Sequence, residues 1–272
     1  FDLGPIALQP AEFAKPLILV LIASYLSESA IDGIDWHHFV MSLYMVLAPC
    51  ALILLQPDLG SASVILAGVA GVLYVGQARR RYLLLIAAMS VGSVAASIVA
   101  VPSLRYQLRR FDAWFNQNSF DKDLEQIVLQ VRFAKRAVST GGVFGKGYLN
   151  GTQSHLDYLP EGHTDFVFAT MAEEWGLLGG LAIIVAFVMV GRWGLQVASR
   201  ASTRFGRMTA AALSMTIFYY VTINLLMVMG MAPVVGIPLP MVSHGGTAML
   251  TVMLCLGVLM SIERHSRRRT GL

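Results

Sequence analysis

Three clusters of ionisable and hydroxyl side chains could do chemistry in this chain. The first is "SHLDYLPEGHTDFVFATMAEEWG", Ser154 to Gly176, which gathers Asp157, Glu161, His163, Asp165, Glu173 and Glu174 where a polar stretch becomes apolar. Asp165 either caps a helix start, a role worth about 0.5–2 kcal/mol, or serves as a carboxylate base at the mouth of a polar site. Glu173 and Glu174 fall about two to three helical turns further on. A charge within hydrocarbon costs about 2.5 kcal/mol or more, so acids at that depth face a partner or a watery cavity. The second cluster, Glu12 and Lys15 in "QPAEFAK", offers such a partner, since i and i+3 share one helical face; a purely structural ion pair is the alternative. The third is "GIPLPMVSHGGTA", Gly236 to Ala248. Its prolines followed by Ser-His-Gly-Gly-Thr describe a broken backbone at a helix start, whose N–H groups could hold an anion such as a phosphate. Ser243, His244 and Thr247 would add side-chain donors; otherwise the stretch is a helix cap with small residues for close packing.

The elements that must position these groups are membrane helices. Of 272 residues, 56% are hydrophobic and 13% charged, against about 25% charged in soluble domains. Seven apolar segments are long enough for a helix crossing about 30 Å of hydrocarbon: about 11–27, 39–56, 58–77, 83–103, 165–190, 208–229 and 240–262. The second and third nearly touch at Gln56-Pro57-Asp58, a tight turn. The fold class is therefore all-α, a polytopic transmembrane helical bundle. Threaded alternately, the segments place Arg79-Arg80-Arg81, the Arg192/Arg200/Arg204/Arg207 group and the Arg264/Arg267/Arg268/Arg269 group on one side, which the positive-inside rule makes cytoplasmic. The net charge of +4 is thus topogenic, and no nucleic-acid partner is implied. Cys50 and Cys255 lie in apolar segments, which argues against a disulfide or a zinc site. The start, "FDLGPIALQP", has no signal-peptide pattern. An odd number of crossings beginning outside suggests that earlier segments precede this chain, with a true N-out protein as the alternative.

The region 104–164 is far longer than an ordinary connection. Phe111, Trp114, Phe115, Phe120, Phe133, Phe144 and Tyr148 make it too aromatic for a disordered tail. Within it "DLEQIVLQVRFAKRAV" puts Ile127, Val131, Ala134 and Val138 on one helical face and Arg132, Lys135 and Arg136 beside it. This predicts an amphipathic helix at the outer membrane surface, ended by Gly141-Gly142. Its cations serve an anionic ligand or ordinary phospholipid headgroups. No P-loop, GxGxxG or HExxH occurs, so no cofactor is required. His163 and Asp165, at i and i+2, could not both face one metal on a regular helix, and no metal ligand is assigned.

At these residues the chain resembles the SEDS family (shape, elongation, division and sporulation), which includes RodA and FtsW. The resemblance rests on "QPAEFAK" (Gln9–Lys15), "QPDLGSA" (Gln56–Ala62), "GKGYLNGTQSHLDYLPEGHTDFVFATMAEEWGLLG" (Gly145–Gly179) and "PVVGIPLPMVSHGGTA" (Pro233–Ala248), and spans almost the whole chain. "GTQSHLDYLPE" with "PVVGIPLPMVS" is nearer the RodA branch. Two stretches depart from the family pattern: Ala11 stands for a frequent Ser, and Phe133–Ser139 differs from the usual run. The resemblance implies one SEDS transmembrane domain over 1–272, the last seven of ten helices, with 104–164 as its large extracytoplasmic loop. It implies a peptidoglycan glycosyltransferase that polymerises lipid II for cell elongation, rod shape or cell division. Its partners would be lipid II, the nascent glycan strand, a class B penicillin-binding protein, the elongation machinery and membrane lipids. It would sit in the bacterial cytoplasmic (inner) membrane with its site on the periplasmic side.

By the same resemblance Asp165 matches the family's essential carboxylate, and Glu12, Lys15 and Ser243 match polar residues of its central cavity. His163, Arg109, Arg132 and Lys135 complete the expected substrate-binding set. Asp165 would take the proton of an attacking sugar hydroxyl; Lys15, Arg109, Arg110, Arg132, Lys135 and the Ser243–Gly246 backbone are available to a pyrophosphate leaving group. A divalent cation, Mg or Mn, could assist, although no sequence feature demands one. The rival reading is a lipid II flippase, because buried charges at broken helices also describe a transport path.

Overall fold

Apolar runs of this length have one economical way to satisfy every backbone N–H and C=O away from water, the α-helix. The computed structural model describes residues 9–30, 33–56, 58–100, 105–117, 124–155 and 161–270. Among them all regular structure is helical: α1 (Pro10–Ser29), α2 (Trp36–Leu55), α3 (Leu59–Val75), α4 (Arg80–Ala100), α5 (Arg105–Phe115), α6 (Glu125–Thr140), α7 (Thr152–His155), α8 (Val167–Arg200), α9 (Arg204–Val228) and α10 (Gly246–Thr270). The larger part of each expected apolar segment lies on a helix, and 101–103, the end of the fourth, lie outside the described residues. Pro10 opens α1, where a missing N–H has no partner to lose. The Asp35 and Asp58 carboxylates cap α2 and α3, accepting from His38 N and Ser61 N at 2.9 Å. Pro57, between the paired segments, lies outside the described residues. Five of these helices (α1, α2, α8, α9 and α10) contain stretches long and apolar enough to cross a membrane, and α3 is a shorter apolar helix.

Two element ends differ from expectation. α10 starts at Gly246 rather than near 240, since Pro238 and Pro240 belong to an irregular stretch after α9. α8 is two helices joined at Gly176, whose φ of 69° and ψ of −165° lie outside any helix. Only glycine adopts that conformation readily. Glu173 and Glu174 therefore sit on a short leading segment, before the break and not deep in the long helix.

Contacts divide the chain into two compact units. The first comprises residues 1–97, 190–219 and 246–272. Its core joins Leu19, Ile22 and Leu26 of α1 to Ile65 and Leu73 of α3, Tyr82 of α4 and Met208 of α9. Small residues let these helices approach closely: a Cβ on Gly71 would come to 3.1 Å from the Ala211 carbonyl oxygen. Leu17, Tyr44, Leu47 and Leu52 point outward and are more than half exposed, an apolar exterior that suits lipid rather than water.

The second unit comprises residues 98–189 and 220–245. Its core is Val131, Ala134 and Ala137 of α6 packed with Phe166, Phe168 and Ala169, Val221, Met227 and Val228 of α9, and Val234 and Leu239. The buried stripe of α6 is thus Val128, Val131, Ala134 and Ala137, with Ile127 and Val138 at its margins. Protein covers this face. The described parts of 104–164, residues 105–117, 124–155 and 161–164, are consequently folded, and they include α5, α6 and α7.

Candidate active site

In the second unit, a turn from Glu161 to Phe166 presents Asp165. Thr164 N and Phe166 N both donate to Glu161 O at 3.1 Å, and α8 begins at Val167. Asp165 therefore precedes the helix, and its carboxylate makes no hydrogen bond or ion pair among the described residues. The helix-cap reading fails here. Burial lifts its pKa from 3.8 to about 6; the Glu161 charge adds to the rise and Arg110 opposes it. A carboxylate tuned toward neutrality is what a general base working near pH 7 requires. Glu161 itself holds a φ of 59°, a left-handed conformation that costs a non-glycine residue about 1–2 kcal/mol.

The Pro-rich stretch after α9 fastens both sides of this turn. Ser243 Oγ donates to Thr164 O at 2.6 Å and accepts from Leu239 N at 2.7 Å. His244 N donates to His163 O at 2.9 Å, and Ser243 N to Leu239 O at 3.0 Å. Ser243 and the 243–244 backbone, expected as donors to a substrate anion, are instead engaged in holding the turn. His163 contributes its carbonyl to that clamp while its side chain is exposed. Asn224 of α9, fully buried, donates to Asp165 O at 2.8 Å and Ile237 O at 2.7 Å. Sequence reasoning passed over this residue, although a lone amide in an apolar helix was a usable signal. Gly236 (φ 71°) runs alongside, where an added Cβ would stand 3.6 Å from Asp165 Oδ2.

The loop cations divide. Arg110 donates to Val234 O at 2.9 Å and lies close enough to act on Asp165. Arg109 is exposed. Arg132 Nε donates to Gln117 O at 2.9 Å, and Lys135 reaches Gln117 Oε1. Gln117 Nε2 and Trp114 Nε1 in turn donate to Gly230 O at 2.8 and 3.1 Å. Arg132 and Lys135 thus tie α5, α6 and the Gly230 turn together, rather than standing at Asp165.

Glu173 answers its buried charge from within the loop. Its carboxylate, with no exposed surface, accepts from Lys146 Nζ at 2.6 Å and from Gln153 N at 3.1 Å to each oxygen. Backbone pairs flank the bond: Lys146 N to Glu173 O at 3.0 Å, Gly147 N to Glu174 O at 2.9 Å, and Leu177 N to Gly142 O at 2.9 Å. The break at Gly176 frees the groups that make these pairs. The two backbones approach so closely that a Cβ on Gly145 would lie 2.0 Å from Glu174 O, and one on Gly176 2.3 Å from Gly145 N. Lys146 carries no sequence signal for this role, because its partner is 27 residues away.

Glu12 and Lys15 belong to the first unit. Lys15 Nζ, almost fully buried, donates to Glu12 Oε1 at 2.6 Å and to Ser61 Oγ at 3.1 Å. Ser61, at the start of α3, falls in the "QPDLGSA" stretch and was not among the expected site residues.

Among the described residues no three or more His, Cys, Asp or Glu are grouped to hold a metal ion. Asp165 and Glu161 supply hard oxygens of the type Mg or Mn accepts, so such an ion would need substrate oxygens as further ligands.

Fold and site together define a polytopic helical membrane protein that holds a tuned carboxyl, beside an arginine, where a folded loop meets a helix start. The chain belongs to the FtsW/RodA/SpoVE family, described as cell cycle proteins, whose profile matches residues 1–268. It is 35% identical over 276 residues to peptidoglycan glycosyltransferase MrdB of Escherichia coli (strain K12), covering 98% of this chain and 70% of that one. A chain of a solved peptidoglycan synthase complex that coordinates polymerization and crosslinking superposes with a TM-score of 0.77 at 27% identity, covering 98% of this chain and 73% of that one. The rod shape determining protein RodA of Thermus thermophilus superposes with a TM-score of 0.65 at 26% identity, covering 97% and 68%.

Proposed function

We infer that this protein is a peptidoglycan glycosyltransferase of the elongation type, polymerising lipid II into glycan strands. The observation that carries the chemical reading is the Asp165 carboxyl: half-buried, without a hydrogen bond among the described residues, lifted to about 6 and flanked by Arg110. A sugar hydroxyl is too weak an acid to ionise near neutral pH, so its proton must leave as the new bond forms. The acceptor's GlcNAc 4-hydroxyl oxygen attacks C1 of the MurNAc at the pyrophosphate end of the growing strand. The C1–O4 bond forms, the C1–O bond to phosphate breaks, the proton passes to Asp165, and undecaprenyl pyrophosphate leaves with the electron pair.

Arg110 is the cation best placed to meet the negative charge developing on that leaving group. Ser243, Asn224 and the His163 carbonyl position the turn, and Glu12, Lys15 and Ser61 form a second polar group for substrate. Mg or Mn, held by Asp165, Glu161 and pyrophosphate oxygens, would supply further neutralisation of that charge. The arginine distribution supports a site on the periplasmic face of the bacterial cytoplasmic membrane, and the match to a synthase complex supports a class B penicillin-binding protein as partner. The test is Asp165→Asn in the full-length protein with that partner and labelled lipid II. Loss of polymer is expected; polymer at the normal rate refutes Asp165 as the base.

A further inference from the structure

In the first unit, the end of α8 and the end of α10 enclose a cleft of about 530 Å³ that the glycosyl-transfer reading does not use. α8 contributes Trp193, Gln196, Val197 and Arg200, and α10 contributes Glu263, Ser266 and Arg267. The spacings are i, i+3, i+4, i+7 on one helix and i, i+3, i+4 on the other, so one continuous face of each helix lines it. The volume falls in the range of small-molecule sites.

Its chemistry is that of an anion site with an apolar approach. Trp193 Nε1 and Arg267 both donate to Glu263, at 3.0 and 2.7 Å, which fixes the indole and one guanidinium edge against the wall. Ser266 is buried and engaged, accepting from Ser202 N at 3.1 Å and donating to Ile262 O at 2.9 Å, so it shapes the floor. Arg200 and the Gln196 amide remain at the rim, both exposed. Arg200 and Arg267 against Glu263 leave the lining net positive, and exposed Arg264 and Arg268 lie on the adjoining turns of α10. The apolar spans of both helices end here, at Arg200 and Arg268. Leu195 and Met260, each 61% exposed, present the apolar surface a lipid chain would follow. An indole at such a boundary is a membrane-interface anchor.

We propose that this cleft binds the phosphate headgroup of an anionic glycerophospholipid, with Arg200 and Arg267 on the phosphate and the acyl chains along the outer faces of α8 and α10. Basic pockets between membrane helices hold such headgroups, at ~5-fold in affinity per basic residue. The test is native mass spectrometry of the purified full-length protein titrated with phosphatidylglycerol, phosphatidylcholine or inorganic phosphate. Phosphatidylglycerol should bind preferentially, and the Arg200→Gln/Arg267→Gln pair should weaken it by ~10-fold or more without lowering polymerase activity. Glu263→Gln, which keeps the side chain's shape and removes the opposing charge, should tighten binding several-fold and guards against misfolding of the double variant. Equal binding of phosphatidylcholine, unchanged binding in both variants, or inorganic phosphate displacing the lipid stoichiometrically would overturn the proposal.

Discussion

Asp165→Asn should make the protein more stable and less active, and the stability gain should depend on pH. The folded protein holds the Asp165 proton more tightly than the unfolded chain, with a pKa of about 6 against 3.8. Between those values the folded state binds more protons than the unfolded one, so stability falls as pH rises through the window. Above it the ionised carboxylate carries the full penalty. A shift of about two units corresponds to about 3 kcal/mol as an upper bound, and residual solvent at this half-buried group reduces it to about 1–3 kcal/mol. The neutral amide escapes that penalty. Purified wild-type protein and the variant, melted in the same detergent at pH 7.5 and pH 4.5, should differ in Tm at the higher pH and differ less at the lower, which still lies inside the window. The wild-type polymerisation rate should rise with pH through about 6 as the base ionises. A variant less stable than wild type at pH 7.5, or a gap that does not shrink on acidification, would refute the assignment of burial as the origin of the raised pKa.

Two further predictions concern the loop that carries the site. Lys146→Met removes the cation 2.6 Å from the Glu173 carboxylate, whose side chain has 0% exposure, which should cost about 3–5 kcal/mol in thermal or denaturant unfolding. Lys146→Met with Glu173→Leu should recover most of that loss. Gly176→Ala would force a Cβ to 2.3 Å from Gly145 N and should cost about 3 kcal/mol or more, with loss of polymerase activity. Gly142→Ala, at φ 59° but facing open space, should cost only about 1 kcal/mol, the strain of a left-handed backbone without crowding.

Much of the architecture was legible along the chain. Long apolar runs in α2, α8 and α9 have little choice but helix, and Gly141-Gly142 ended α6 where glycines were expected to. The site was legible as residue types, with Asp165 at a helix entrance and Glu12 paired with Lys15 by spacing alone. The contacts that Ser243, Arg132 and Lys135 make within the protein were not legible, because the partner of a hydroxyl or cation is whatever meets it in space. Ser243 meets Thr164, 79 residues away, and Lys135 meets Gln117, on neither of which the local pattern bears. Glu173 found Lys146 for the same reason.

Local chemistry, then, set the helices, their caps and the class of groups available, since those depend on a residue and its near neighbours. How far the Asp165 carboxyl is lifted depended on burial outweighing Arg110, and whether Gly176 was ordinary or indispensable depended on Gly145 lying against it. Both are properties of contacts between distant segments, and only the folded chain brings those segments together.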